Sequence, residues 1–196
     1  MPVELKGATS GGVTIVATAV AGTNTLTAPA KTGTLITSAD SGTVTQAMLA
    51  SGVAGNGPAF SAYRSTNQTG ITSSTFTKVQ LNSENFDTAN CFDSSTNYRF
   101  TPNIAGYYQI NGSVYLQGVG VYSTASAIYK NGSLYTYGNF ISVTTESVSL
   151  VSSLIYLNGS TDYVELYAVA AVTSGTVQFG GGSSLLQFSG ALVRAA

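Results

Sequence analysis

Between Gly106 and Leu116 the chain alternates in steps of two. Tyr108, Ile110, Val114 and Leu116 fall on one side, with Gly112 among them, while Tyr107, Gln109, Asn111, Ser113 and Tyr115 fall on the other. Successive side chains of a strand point to opposite faces, so this order fits a strand with one buried face. It does not fit an amphipathic helix, whose apolar positions recur every three or four residues. The same step recurs where Val164, Leu166 and Ala168 alternate with Tyr163, Glu165 and Tyr167. It recurs again where Leu186, Phe188 and Leu192 alternate with Leu185, Gln187, Ser189 and Val193. Turn signals separate these blocks. Asn131-Gly132 suits a type I′ hairpin turn, which needs positive φ at both central residues. Asn158-Gly159 is a second candidate, and Gly180-Gly181-Gly182 reads as a flexible loop. Many short strands between turns give an all-β head.

The aromatic residues divide the chain. Residues 1–57 contain no Phe, Tyr or Trp, and every aromatic lies beyond them. Aromatics carry much of the burial in a core. A segment without them is expected to be extended and to be stabilised by other chains or by a host particle. The chain therefore reads as an N-terminal β-rich anchoring and trimerisation segment, residues 1–57, followed by a head, residues 58–196. Within the anchor, Gly12 to Ala21 and Thr23 to Ala28 alternate β-branched and small residues, and a short helix is expected around Gln46–Ala50.

Charge narrows the function classes. Charged residues make up 8% of the chain, its net charge is -1, and its seven basic residues are scattered. Gripping nucleic acid takes clustered Lys and Arg, so no nucleic-acid partner is expected. Such a surface also lacks the repulsion that keeps proteins apart. The apolar run Val13 to Ala21 is interrupted by threonines and lacks a basic leader, so it reads neither as a secretory signal nor as a membrane-inserting segment. Cys91 is alone, so no intrachain disulfide forms, and it reads as a small apolar side chain.

Chemistry is sparse. With no His, His-based triads and most zinc sites are excluded. Glu84, Asp87 and Asp93 share a loop region where carboxylates can serve calcium or glycosidase chemistry. Solvated loop charges are the plainer reading. We expect no enzyme, no catalytic residue, no cofactor and no metal. N-x-S/T triplets stand at Asn67, Asn111, Asn131 and Asn158, and turn geometry explains most of them without glycosylation.

Two resemblances sharpen this reading. Ala21 to Leu35 and Val44 to Val53 resemble low-complexity segments of tail-fibre and other appendage proteins of tailed bacteriophages. The head blocks Ala59 to Ala62, Asn97 to Pro102, Gly106-Tyr107-Tyr108-Gln109-Ile110, Lys130 to Gly132, Leu157 to Leu166 and Phe188 to Leu192 are similar to the globular head family of complement first component subunit q. That family shares its jelly roll with the tumour necrosis factor ligands. Ile110 replaces the usual aromatic, and the turn at Asn158 to Asp162 is longer. The resemblance implies a ten-stranded sandwich of two sheets in jelly-roll order, assembled as a tight homotrimer with the inner sheets facing the threefold axis. The uncharged face bearing Tyr107, Gln109, Asn111 and Tyr115 suits that interface, where Tyr is enriched.

The expectation is a virion protein of a tailed bacteriophage. Residues 1–57 would hold other virion proteins, and a trimeric knob would contact a host-surface glycan or outer-membrane protein. Tyr122, Tyr135, Tyr137 and Phe140, in or beside expected loops, are the candidate receptor contacts. A capsid decoration or cement protein is the alternative.

Overall fold

The computed structural model describes residues 3–6, 12–15, 57–118, 120–142, 146–173 and 175–196, excepting the side chains of residues 3–6, 12–15, 121 and 122. The chain divides into two units, Met1–Ser41 and Gly42–Ala196. In the first, β1 (Val3–Lys6) pairs antiparallel with β2 (Gly12–Ile15). The remaining anchor strands, the short helix and both appendage-like stretches lie outside the described residues.

The described part of the second unit is built from strands and loops. They are β3 (Ala59–Tyr63), β4 (Thr77–Lys78), β5 (Ser83–Asp87), β6 (Phe92–Asp93), β7 (Arg99–Phe100), β8 (Ala105–Gly118), β9 (Val121–Lys130), β10 (Ser133–Tyr137), β11 (Ser147–Asn158), β12 (Val164–Val172), β13 (Val177–Phe179) and β14 (Gln187–Ala195). Sheet I follows the order β10-β9-β12-β7-β6, with β4 also paired to β12. Sheet II follows β11-β8-β14-β3-β5, with β13 also paired to β8. Each is a path of five strands, and the count departs from ten through β4 and β13, which have two and three residues. Every pairing in both sheets is antiparallel.

The core lies between the sheets. The alternation in β8 sends Tyr108, Ile110, Val114 and Leu116 inward, all fully buried. They meet Ile128, Val164, Leu166 and Ala168 in one apolar cluster. Phe60 stacks on Phe100 at 4.3 Å and on Phe92 at 5.1 Å between ring centres, and Phe100 meets Tyr108 edge-on at 5.6 Å. Tyr108 escapes an unpaired hydroxyl by donating to the Ile104 carbonyl at 2.7 Å. Burial pushes its pKa well above the ordinary tyrosine value.

The turns behave unequally. Asn131 and Gly132 hold φ of 52° and 75°, as a type I′ turn requires. The Asn158-Gly159 expectation is corrected, because only Gly159 there has positive φ. Instead, the Asn158 side-chain oxygen accepts from the amides of Ser160, Thr161 and Asp162, which winds a longer loop around it. Gly180 to Gly182 is also corrected from loose to pinned. Their amides donate to the Tyr115 carbonyl, the Asn67 side chain and the Arg64 carbonyl, each at 2.8 Å. The outer edge of β11 is closed midway. Asn139 donates its amide to the Leu150 carbonyl at 3.0 Å, and its side-chain oxygen accepts from the Leu150 amide at 2.6 Å.

Candidate functional site

Sheet II turns a second face away from the core. There β8 and β11 set Tyr107 opposite Tyr156, Gln109 opposite Leu154, Asn111 opposite Ser152, Ser113 opposite Leu150, and Tyr115 opposite Val148. On the other side of β8, β14 sets Ala191, Ser189 and Gln187 beside Gln109, Asn111 and Ser113. The polar groups satisfy one another. Gln109 donates to Ser152 Oγ at 2.8 Å, Ser152 donates to the Asn111 oxygen at 2.9 Å, and Ser113 donates to the Leu185 carbonyl at 2.8 Å. The apolar groups are not covered. Leu150 is 56% exposed and Leu154 52%, and Val193, Phe86, Tyr107 and Tyr156 are exposed as well.

No charged side chain occurs on this face along β8, along β11, or along β14 as far as Val193. Charge stands at the margins. Arg194 follows Val193, and the Glu146 carboxylate accepts the Tyr115 hydroxyl, which raises that hydroxyl's pKa. Three shallow hollows mark the surface. One of about 350 Å³ lies between Asn111, Leu150 and Gln187; one of about 570 Å³ between Tyr107, Leu154 and Arg194; one of about 240 Å³ between Phe86, Gln109 and Ala191. The four residues expected at an interface therefore share one face. Phe86, Leu150, Leu154, Tyr156 and Val193 join them without having been foreseen. The signal existed in β11, where Leu150, Leu154 and Tyr156 are interleaved with Val151, Ile155 and Leu157. Apolar residues on both parities are the pattern of strands buried on both faces, and here the second set stands exposed.

The outer face of sheet I is different. A chain of rings runs across it: Phe140 to Tyr137 at 5.6 Å, Tyr137 to Phe76 at 5.6 Å, Phe76 to Tyr129 at 6.1 Å, and Tyr129 stacked on Tyr167 at 3.9 Å. Tyr167 is set opposite Ala127, and Ala127 opposite Tyr137, so these two share one row of the sheet, with Tyr129 in the next row opposite Glu165. Beyond Tyr167, Lys78 meets Glu165 at 2.5 Å. Glu165, on the parity that alternates with the core residues of β12, is only 3% exposed, because Lys78 of β4 closes over it. Burial pushes the Tyr167 hydroxyl up to about 12 and raises Tyr129 too. Of the expected receptor contacts, Tyr137 and Phe140 join this chain. Tyr135 lies at the β10 bulge and is 47% exposed, while the side chain of Tyr122 lies outside the described residues.

The carboxylates are structural fasteners. Asp87 accepts from the Phe92 amide at 2.7 Å and the Ala89 amide at 3.2 Å. Asp93 accepts from the amides of Thr96, Ser95 and Asn97 and from the Asn97 side chain, which holds its carboxyl well below the usual range. Asp162 is likewise lowered by Asn131, and by Lys130 at 2.9 Å. Among the described residues, no group of three or more His, Cys, Asp or Glu is placed to hold a metal ion. The Cys91 thiol is buried, and that burial raises its pKa. No helix among the described residues is long and apolar enough to cross a membrane.

No family model matches the chain, and no curated protein matches it. Solved structures do. Murine APRIL at pH 5.0 superposes with a TM-score of 0.54 at 7% identity, over 70% of this chain and 99% of that one. Two sheets of this order, superposed at that score, decide the architecture. The head is a tumour-necrosis-factor-like jelly roll. Eiger TNF from S. frugiperda shares this jelly roll, with a TM-score of 0.50 at 8% identity over 71% of this chain and 94% of that one. The globular domain of zebrafish complement 1qA gives 0.47 at 16% identity, over 71% and 99%. At these identities the likeness concerns the jelly roll and nothing finer.

Proposed function

We propose that the chain is the homotrimeric head of a surface-binding appendage, a virion structural protein of a tailed bacteriophage that contributes to host attachment. The observation that carries the assembly is the outward face of sheet II. Along β8, β11 and β14 as far as Val193 it is uncharged, its polar groups are mutually bonded, and Leu150, Leu154, Tyr107, Tyr156 and Val193 stand uncovered on it. Exposed apolar patches rimmed by polar groups mark interaction surfaces. A closed homotrimer covers this face in every copy, as the head resemblance implies. The phage setting rests on the likeness of residues 21–35 and 44–53 to appendage proteins. On this reading residues 1–57 bind other virion proteins, and three copies add weak single contacts into firm adhesion.

Sedimentation of the full chain at micromolar concentration tests the assembly. The expected mass is three times the chain's 20.0 kDa. A monomer at that concentration overturns it. Labelled full chain on a panel of bacterial strains tests attachment: saturable binding competed by unlabelled chain is expected on susceptible strains, and its absence on every strain removes the adhesion reading.

A further inference from the structure

The two outer faces of the sandwich differ in chemistry. Sheet II shows aliphatic side chains among bonded amides, which suits a second copy of the chain. Sheet I shows rings: Phe140 is 65% exposed and Tyr137 49%, and they continue through Phe76 and Tyr129 to Tyr167. No hydrogen bond within the described residues engages the hydroxyls of Tyr129, Tyr137 or Tyr167, so each keeps a donor and an acceptor for a ligand. The five rings of the shelf carry no charge. Beside them Lys78 is paired with Glu165 at 2.5 Å, and Arg99 lies over the ring of Tyr163, which is outside the ring chain, at 4.2 Å. A phosphate or carboxylate ligand finds no cation among the shelf's own side chains.

We propose that the Phe140–Tyr137–Phe76–Tyr129–Tyr167 shelf binds neutral hexose oligosaccharides, a reading that rests on the head being a surface-binding module. A hexose ring has an apolar C–H face and an edge of hydroxyls. Aromatic rings cover the first at low entropic cost, and free tyrosine hydroxyls meet the second. Tyrosine hydroxyls ionise only near 10, and burial raises Tyr129 and Tyr167 further, so both remain donors through the physiological range. Because the shelf faces away from sheet II, assembly through sheet II leaves one shelf open per copy.

The test uses the full chain on an array of gluco-, galacto- and manno-oligosaccharides, neutral and acidic. Binding to neutral members is expected. Tyr137→Ala/Phe140→Ala should weaken it at least about tenfold, with circular dichroism and sedimented mass unchanged. Tyr137→Phe should retain the stacking and lose less. If the double variant misfolds, Phe140→Ala alone, at the most exposed ring, serves as the readout. A blank array, binding confined to acidic members, or neutral binding untouched by these variants each overturns the proposal. If the chain adheres to bacterial cells while the array is blank, the attachment reading stands and the shelf falls.

Discussion

Lys78 Nζ lies 2.5 Å from Glu165 Oε1, and Glu165 is almost wholly sealed from solvent. Lys78 comes from the two-residue strand β4, which pairs only with Tyr167 and Ala168 midway along β12. Removing one member of a buried pair strands the other charge, at a cost of about 3–5 kcal/mol, with the low end fitting the half-exposed lysine. Lys78→Met should therefore lower stability by about 3 kcal/mol in urea unfolding. Lys78→Met/Glu165→Gln should recover over half of that loss, since no orphan charge remains. Equal losses in both variants would show that β4 is held by packing and not by the pair.

Acid should loosen the rim loops. The hydrogen bonds to Asp93 and Asp162 stabilise their ionised forms, so the folded-state pKa of each lies below its ordinary 3.8. Groups lowered in this way contribute stability above the unfolded value, and that contribution is lost as pH falls through the folded one. The melting temperature should therefore drop as pH descends from about 4, and Asp93→Asn should flatten that descent. Both carboxyls lie at the surface and are partly reached by water, the Asp162 side chain being 15% exposed, so screening keeps the individual effects small. Calorimetry across pH 2 to 6 reads the slope, and an unchanged slope in Asp93→Asn would remove its assigned part.

Alkali acts in the opposite sense on sheet I. Burial raises Tyr167 to about 12, so its stabilising contribution is intact below the ordinary tyrosine value of 10 and is lost as pH climbs from there toward 12. Ultraviolet titration should show Tyr167 and Tyr129 ionising after the open tyrosines. Phe76→Ala, which removes the ring tilted against Tyr129, should bring that late phase to lower pH.

Much of this architecture was legible in advance, for a physical reason. β8 has one wet-side parity and one core parity, and a strand buried on one face writes that difference into every second residue. The type I′ turn at Asn131-Gly132 was legible because few residue pairs accept two positive φ values. What stayed hidden depends on partners distant in the chain. Glu165 reads as exposed until Lys78 is placed above it. Gly180 to Gly182 read as slack until Tyr115, Asn67 and Arg64 are seen to take their amides. The ring chain on sheet I draws on the Phe76 segment, β9, β10, the residues after it and β12, so no local pattern announces it.

Gly138 sits where the chain leaves β10 and crosses to the edge of β11. Its amide donates to the Ser126 carbonyl at 2.8 Å, and the next amide donates to Leu150. A methyl group there would press into the Leu150 carbonyl and lie 2.6 Å from Ser126 Oγ. Backbone on that side cannot yield without breaking the Asn139 clamp. Gly138→Ala should cost about 2–3 kcal/mol in urea unfolding, and hydrogen exchange at Leu150 should rise more than at Leu166. A neutral outcome would mean that the crossing segment floats free of β11.

Oligomerisation through sheet II has a thermodynamic signature that a monomer cannot imitate. Assembly stabilises only the folded chain, so the melting temperature must climb with protein concentration. Leu154 stands on the outward face of the edge strand β11, 52% exposed and directly opposite Gln109. Its side chain contributes little to the core of an isolated copy, so a glutamate there should leave that copy folded. Buried at a subunit contact, the same carboxylate loses its hydration, Arg194 on the rim of the same hollow offsets that loss only in part, and three copies would crowd their charges together. Leu154→Glu should therefore sediment as a single chain, and its melting temperature should stop responding to concentration. Phe140→Ala on the opposite sheet should keep both the mass and the concentration dependence. If Leu154→Glu retains three chains, the assembly uses another face, and the exposed leucines and tyrosines of sheet II need a different partner.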